Sequence, residues 1–568
     1  MGPSEEQLLF RPNTEGQISV CLAYPNSYPV AMGNLGYQAV YRILATTPGV
    51  VCERLCLPED GSSGRTLESG RWPGDFDLIA FSVSFESDYP NIVRMLSAAG
   101  VPARRRDRDA DGNRDWPLVI GGGPAVFLNP EPIAAFFDLF LVGEAEEMLP
   151  EAFAGARGWS GRERTEVLDQ LSSVAGAYRP GLYQADYGAN GELVSFEPQQ
   201  GATATVTRRY LSDLDRYPAT TTVVAPGAVF GDQFMVEASR GCEWGCRFCA
   251  AGFMYRPVRH RSADGVAADA LAGLERAPTI GLVGAEMASH PGLAGTCEKV
   301  ADAGGRVSPS SLKADVISPR LARALARGRT RSVTVAPEAG SERMRRVINK
   351  NLDDNEIMRA TDLLVGDGVE SLKLYFMCGL PTETDEDLDG IAGLTARIRD
   401  RVVAGGRSRG RVGRIKVSIN PFVPKPWTPF QWDPMVEVAE LQKRMAGLRR
   451  SLGRIPNVQM ETESPREAYL QALFSRGDRR VASVVEALAT SESWWQDISA
   501  MRRGEHPTVQ LDLDRYVTGS YEHTSLLPWD FIDHHIERDY LWLERRRAFA
   551  ERETEPCDVA TCHSCGAC

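Results

Sequence analysis

Eight residues, Cys242-Glu243-Trp244-Gly245-Cys246-Arg247-Phe248-Cys249, carry three thiols in the spacing C-x3-C-x2-C. Cysteine is a soft ligand, and close spacing lets one loop wrap its thiolates around a metal centre whose charge they offset. Three ligands with no fourth in the loop point to an iron-sulfur cube with one open iron, free to hold a small molecule. The same residues would also serve a zinc loop completed from elsewhere in the chain, or three core thiols that merely lie close together. Gly241, Gly245 and Arg247 make the segment a flexible polar loop, which favours the cube over core thiols.

A second set, Cys557, Cys562, Cys565 and Cys568, has the spacing C-x4-C-x2-C-x2-C. Four thiolates close either a second [4Fe-4S] cluster or a tetrahedral zinc site, with His563 as a substitute ligand. A redox-active or unoccupied tail is the remaining reading. The other five of the 12 cysteines, Cys21, Cys52, Cys56, Cys297 and Cys378, lie in or beside apolar runs. This is a metal-binding pattern in a reducing compartment, not a disulfide framework.

The elements that must position these thiols follow from hydrophobic patterning. The run Phe234-Met235-Val236-Glu237-Ala238 enters the first loop, and further strand-like runs begin near Thr279, Val307, Ser332, Leu372 and Ile415. Helical segments separate them. Six parallel strands with outer helices predict a partial (β/α)6 barrel over residues 221–440, with the cysteine loop at its mouth. Residues 1–200 predict an α/β, doubly wound, Rossmann-like domain with a connector at 190–206. Its Gly121-Gly122-Gly123-Pro124 falls just past a strand, where such sheets bind ligands. The G-x-G-x-x-G dinucleotide fingerprint is missing, and the glycines also suit a simple tight turn. A mainly helical C-terminal domain is expected over 441–550, followed by the cysteine-rich segment 551–568.

The 568 residues carry a formal charge of -12, which excludes a protein that wraps nucleic acid by bulk electrostatics. Local basic groups at Arg407 to Arg414 and at Arg476, Arg479 and Arg480 leave a non-catalytic iron-sulfur RNA- or protein-binding module as an alternative. The N-terminus lacks a basic region before an apolar run, and no stretch approaches eighteen apolar residues, so a cytoplasmic location with no membrane span is expected.

The loop Gly241 to Tyr255, GCEWGCRFCAAGFMY, resembles the signature of the radical SAM enzymes. That resemblance implies reductive cleavage of S-adenosylmethionine at a [4Fe-4S] cluster held by Cys242, Cys246 and Cys249, giving methionine and a 5'-deoxyadenosyl radical. Phe248 matches the aromatic residue that commonly precedes the last ligand. Ala336 to Glu342, Met377 to Thr384 and Asn420 to Pro426 resemble strand-end segments of the branch that includes the Elongator catalytic subunit, MiaB and NifB. The likeness implies cofactor contacts from Glu338, Ser341 and Gly379, whose plainer readings are a solvated acid, a helix cap and a turn. Gly284-Ala285-Glu286 approximates the motif that holds the amino group, so Glu286 joins them. Lys416 and Lys425 are candidates for an anionic substrate.

Tyr24-Pro25-Asn26, Asn34 to Gln38, Gly121 to Pro124, Ser475 to Arg480 and Leu527-Pro528-Trp529 are similar to a family of radical SAM proteins with an N-terminal cobalamin-binding-like domain. The implied cofactors are the cluster, S-adenosylmethionine and cobalamin resting on Gly121, Gly122 and Gly123. All 7 histidines lie at or beyond His260, so no histidine from the first domain can bind the cobalt from below. The implied activities are a cobalamin-dependent methyl transfer to an unactivated carbon, or a cobalamin-independent radical modification or sulfur insertion using an auxiliary cluster. The implied partners are an electron donor such as flavodoxin or ferredoxin and a substrate that is small, an RNA or a protein.

Overall fold

The computed structural model describes residues 5–58, 64–111, 115–199, 201–407, 409–410, 412–562 and 564–567. The chain forms two compact units, one of Met1–Leu211, Thr221–Gly231 and Leu470–His534, the other of Ser212–Thr220, Asp232–Tyr469 and His535–Cys568. The mainly helical stretch after residue 440 is therefore shared between them. Its helices include Ala482–Ala489 and Trp494–Arg502 in the first unit.

The first unit is built on a six-stranded sheet. Its strands are β1 (Ile18–Tyr24), β2 (Val50–Cys56), β3 (Leu78–Ser82), β4 (Leu118–Gly122), β5 (Leu139–Leu141) and β6 (Ala177–Tyr178). The order is β2-β1-β3-β4-β5-β6, parallel except for the last pair. β1 is ISVCLAY and is buried at all but one position, as strands covered on both faces must be. The helix α1 (Leu35–Thr46) returns the chain from β1 to β2, and α2 (Tyr89–Ala98) carries it from β3 to β4. Asn34 starts α1 by accepting the Tyr37 N–H at 2.9 Å. Because the order reverses at β1, the ends of β1 and β3 border the crevice where open α/β sheets take ligands. Within the stretch read as an irregular connector, Leu193–Pro198 pairs antiparallel with Tyr183–Tyr187, because LVSFEP has more strand character than its flanking glycines suggest.

The second unit carries seven parallel strands among the described residues, not the six expected. They are β7 (Gln233–Glu237), β8 (Thr279–Val283), β9 (Arg306–Pro309), β10 (Ser332–Glu338), β11 (Ser371–Cys378), β12 (Arg414–Pro421) and β13 (Val458–Thr462). β7-β8-β9 form one parallel sheet and β10-β11-β12-β13 another, joined by a parallel bridge between Leu312 and Val335. β13, VQMET, has no fully buried residue, so it lacks the apolar run that marks the others. The helices α3 (Ala263–Gly273), α4 (Leu293–Asp302), α5 (Pro319–Arg327), α6 (Glu342–Val347), α7 (Asp354–Asp367), α8 (Asp385–Arg407) and α9 (Val438–Leu452) connect the strands, and α10 (Arg538–Phe549) follows later. Local sequence fixes their starts: Ser262 caps α3, Ser318 followed by Pro319 starts α5, and Asp353 with Glu356 forms a capping box on α7.

Candidate active site

The loop Cys242 to Cys249 leaves the end of β7 and winds into the short helix Ala251–Met254 through two tight turns. Cys249 N–H donates to Cys246 O at 3.0 Å and Gly252 N–H to Cys249 O at 3.2 Å. Gly241 opens the loop at φ +79°, where a Cβ would lie 2.5 Å from the Tyr255 carbonyl, so glycine alone fits. The loop is held by a fully buried residue within it. Arg247 donates to Arg346 O at 3.0 Å and Val347 O at 2.9 Å, carbonyls freed at the end of α6. Its guanidinium also reaches Glu544 Oε2 on α10 at 3.1 Å and Arg552 O at 2.7 Å. Asn349 adds a bond from Nδ2 to Gly245 O at 3.2 Å.

Burial dominates the loop's electrostatics. It pushes the Cys249 thiol up to about 11 and raises Cys242 and Cys246, and neighbouring thiolate charge adds to the shift at Cys242 and Cys249. Lys350 pulls the other way at Cys246 and Cys249. Its Nζ lies 3.6 Å from Glu338 Oε1, and only 9% of the residue is exposed. Burial works against the Lys350 charge, but Glu338 and the three cysteines outweigh it and hold the ammonium above the usual lysine range. Burial raises the Glu338 carboxyl against the pull of Lys350. Lys313 lies over the Trp244 ring at 3.5 Å and donates to Asp315 and to Asn351 O at 2.9 Å.

Among the described residues no three His, Cys, Asp or Glu side chains stand together as a ready metal site, in this loop or in the tail. The first loop does bring three thiols of one segment within reach of one another's charge, beside a buried ammonium. That donor set fits a [4Fe-4S] cluster.

The other expected site residues fall at several places. Glu338 ends β10 at φ +68°, where the register with β11 slips between Val335 and Glu338. Glu286, just past β8, is 9% exposed and accepts the N–H groups of Ala288 at 2.7 Å and Ser289 at 2.8 Å, and its charge is felt at Cys242. Phe248 packs against the apolar cluster of Ala339, Met344, Val347, Ile348 and Phe422. Ser341 caps α6, accepting the Met344 N–H at 3.1 Å while its hydroxyl meets Asp387. Gly379, at φ +91°, donates its N–H to Glu383 at 2.6 Å, and a Cβ there would lie 2.8 Å from Leu441. Lys416 is half-exposed and pairs with Glu461.

The tail reaches the same loop. Cys557 N–H donates to Glu243 O at 2.7 Å, and Glu537 N–H donates to Cys565 O at 2.9 Å. The Arg256 guanidinium bonds Tyr540 and the buried Cys565 thiol. Cys562 is only partly buried, and hydrogen bonds from Ser564 lower its thiol. His563 and Cys568 lie outside the described residues.

In the first unit, Gly121 and Gly123 are explained by the chain's own packing. A Cβ would meet the Phe137 ring at 2.8 Å and the Val83 carbonyl at 2.6 Å respectively, while Gly122 has ordinary space. The crevice between the ends of β1 and β3 is polar instead. Asn26 Nδ2 donates to Asp88 Oδ1 at 2.8 Å, and Asn34 reaches Ser84 Oγ at 3.1 Å. Asp88 Oδ2 is buried with no partner, and burial lifts the carboxyl to about 7. Local sequence does not signal Asp88, Arg247, Lys313 or Lys350: Arg247 reads only as loop polarity, and the Asn349-Lys350-Asn351 run after a helix resembles an ordinary solvated turn.

Residues 36–180 match the family described as radical SAM proteins, N-terminal, and residues 236–395 match the radical SAM superfamily. A relative from Methanocaldococcus jannaschii, protein MJ0966, is 29% identical over 473 residues, spanning 82% of this chain and 90% of its own. Among solved structures, the radical S-adenosylmethionine methyltransferase TsrM from Kitasatospora setae, with cobalamin and a [4Fe-4S] cluster bound, is 13% identical and has a TM-score of 0.44, over 71% of this chain and 72% of that one. The cobalamin-dependent S-adenosylmethionine radical enzyme OxsB, with aqua-cobalamin and S-adenosylmethionine bound, is 11% identical with a TM-score of 0.49, over 94% and 79%. The matches reach the superfamily without singling out the MiaB and NifB branch. The superfamily segment contains the whole cysteine loop, and the chain is a radical SAM enzyme that generates a 5'-deoxyadenosyl radical by way of a [4Fe-4S] cluster.

Proposed function

We propose that the enzyme is a cobalamin-dependent methyltransferase that alkylates an unactivated carbon. The observation that carries this reading is the crevice at the strand-order reversal of the first unit. There Asp88 Oδ2 is buried without a partner beside Asn26, Asn34 and Ser84, and Phe85 is 50% exposed. An orphaned acceptor, amide groups and an exposed ring at these strand ends suit a flat ligand with amide arms, which a corrinoid has. Residues 1–200, which supply the strands and loops that border this crevice, contain no histidine, so the reading calls for a cobalt with no histidine from that stretch beneath it. When bound, the cluster with S-adenosylmethionine would supply the radical and the corrinoid a methyl group.

The chain's own residues would do the rest. Cys242, Cys246 and Cys249 would hold three irons, and Phe248 would fix the loop by packing. Glu286 and Glu338 would offer carboxylate to the cationic amino group of S-adenosylmethionine. Ser341 and Gly379 would act mainly by setting α6 and the turn after β11, since their polar groups are already engaged. Gly121 to Gly123 would shape the strand end through their packing. A flavodoxin or ferredoxin would supply electrons. Anaerobic reconstitution with iron, sulfide and hydroxocobalamin tests the proposal. Retention of one corrinoid per chain is expected, with its loss in Asp88→Leu. A cluster-replete protein that retains no corrinoid overturns it and leaves the cobalamin-independent radical modification.

A second reading concerns the tail. The Cys557–Glu243 hydrogen bond docks the terminal cysteines on the cluster loop, which supports an auxiliary [4Fe-4S] or zinc site there. Metal analysis of a Cys562→Ala, Cys565→Ala variant tests it, because an unchanged iron and zinc content removes the second site.

A further inference from the structure

A buried lysine stands at the cysteine loop, and none of the roles assigned above uses it. After α6 the chain turns through Asn349 at φ +54° and Asn351 at φ +47°, left-handed positions that asparagine tolerates better than most residues. Lys350 lies between them. Asn349 Oδ1 accepts the Thr554 N–H at 2.7 Å while its amide holds Gly245 O. Asn351 Nδ2 donates to Thr554 O at 2.9 Å, and its carbonyl accepts Lys313. Lys350 N–H donates to Arg345 O at 2.8 Å. The backbone of Lys350 is therefore fixed on both sides, by the loop it faces and by the segment after α10.

Burying an ammonium costs several kcal/mol before pairing, so a built site for one needs a reason. Its ion-pair partner among the described residues is Glu338, itself held in a left-handed conformation at a break in strand register. A non-glycine residue in that region is strained, and strain of this kind concentrates where a side chain must be aimed. The pair stands at the cysteine loop: Asn349, next to Lys350, holds Gly245 O between Cys242 and Cys246 at 3.2 Å, and Glu338 lies 3.6 Å from the Lys350 ammonium.

We propose that the Lys350–Glu338 pair sets the reduction potential of the cluster held by Cys242, Cys246 and Cys249, with Lys350 favouring the reduced form and Glu338 opposing it. One-electron reduction by a low-potential donor adds one negative charge to the cluster and changes no bond. A poorly screened cation nearby stabilises that added charge, and a nearby anion destabilises it. Lys350 is thus a tuning residue, distinct from the thiols that hold the metal. Glu338 keeps it oriented and moderates its field.

An anaerobic, EPR-monitored titration of the reconstituted full chain with dithionite, without S-adenosylmethionine, tests the inference. Lys350→Met is expected to shift the midpoint to more negative potential, Glu338→Gln to more positive potential, and Lys350→Arg to stay near wild type. Iron and sulfide analysis reports loading in each sample. If Lys350→Met fails to load, the signs of Glu338→Gln and Lys350→Gln decide. Loaded variants with unmoved midpoints, or shifts of the same sign, overturn the inference. Weaker binding of S-adenosylmethionine by Lys350→Met with an unmoved midpoint overturns it too, making Lys350 a ligand contact. Wild-type protein with no reducible cluster would overturn the cluster assignment together with the tuning role.

Discussion

The two cysteine segments of the second unit use the same side chain under opposite conditions. Cys242, Cys246 and Cys249 lie on a loop that a buried arginine ties to α6 and α10, and burial raises all three thiols. In the tail, Cys562 is partly exposed and its thiol is lowered by local hydrogen bonds. The contrast teaches that spacing nominates ligands while packing decides their readiness. Burial holds the protons on the first set, whereas hydrogen bonding eases their loss at Cys562.

The contrast breaks first on activity. Cys246→Ala is expected to abolish 5'-deoxyadenosine formation in the presence of dithionite, while Cys562→Ala retains it. Equal loss in both, measured by chromatography of the quenched reaction, would make the tail as necessary as the loop. Next in size is reactivity. In metal-free protein at pH 8, mass spectrometry after iodoacetamide should find Cys562 labelled at least ~100-fold faster than Cys249, since thiolate is the nucleophile and about three pH units separate Cys249 from that pH.

Stability sharpens the comparison further. Arg247→Met removes one side of a buried pair and should cost about 3–5 kcal/mol in urea unfolding. Arg547→Met, on the exposed side of the same Glu544, should cost under about 1 kcal/mol. The last effect is carried by pH. Burial lifts Glu383, beside Gly379, to about 7, whereas hydrogen bonds from Thr561 and Ala560 lower the exposed Asp558 of the tail. A raised carboxyl stabilises below its unfolded value and loses that contribution as pH rises through the folded one. Stability should therefore decline between about pH 4.5 and pH 7 in wild type and stay flatter in Glu383→Gln, while Asp558→Asn leaves the profile unchanged. Thermal unfolding across that range is the check.

Much of this was legible from residues alone. Six strands of the second unit were visible because their ends combine apolar runs with glycine, proline or asparagine, and the C-x3-C-x2-C loop declares its chemistry by spacing. β13 escaped because its five residues alternate between exposed and half-buried, so no hydrophobic signal exists to find. Ser341 was readable as a cap because a serine precedes a helical run. Lys350 was not, because its setting depends on Gly245 and Thr554, which lie far from it in the chain, and on Glu338, which the intervening helix α6 brings back to it. The unpaired oxygen of Asp88 is a property of packing that no local pattern encodes.

The clasp between Arg247 and Glu544 has a consequence for biogenesis. Its two residues are 297 positions apart, and the Glu243–Cys557 bond spans a similar distance. A ribosome emits a chain from its N-terminus and needs tens of seconds for such a stretch. The nascent loop therefore emerges long before its anchor exists, and it is clasped in its folded form only once α10 has been made.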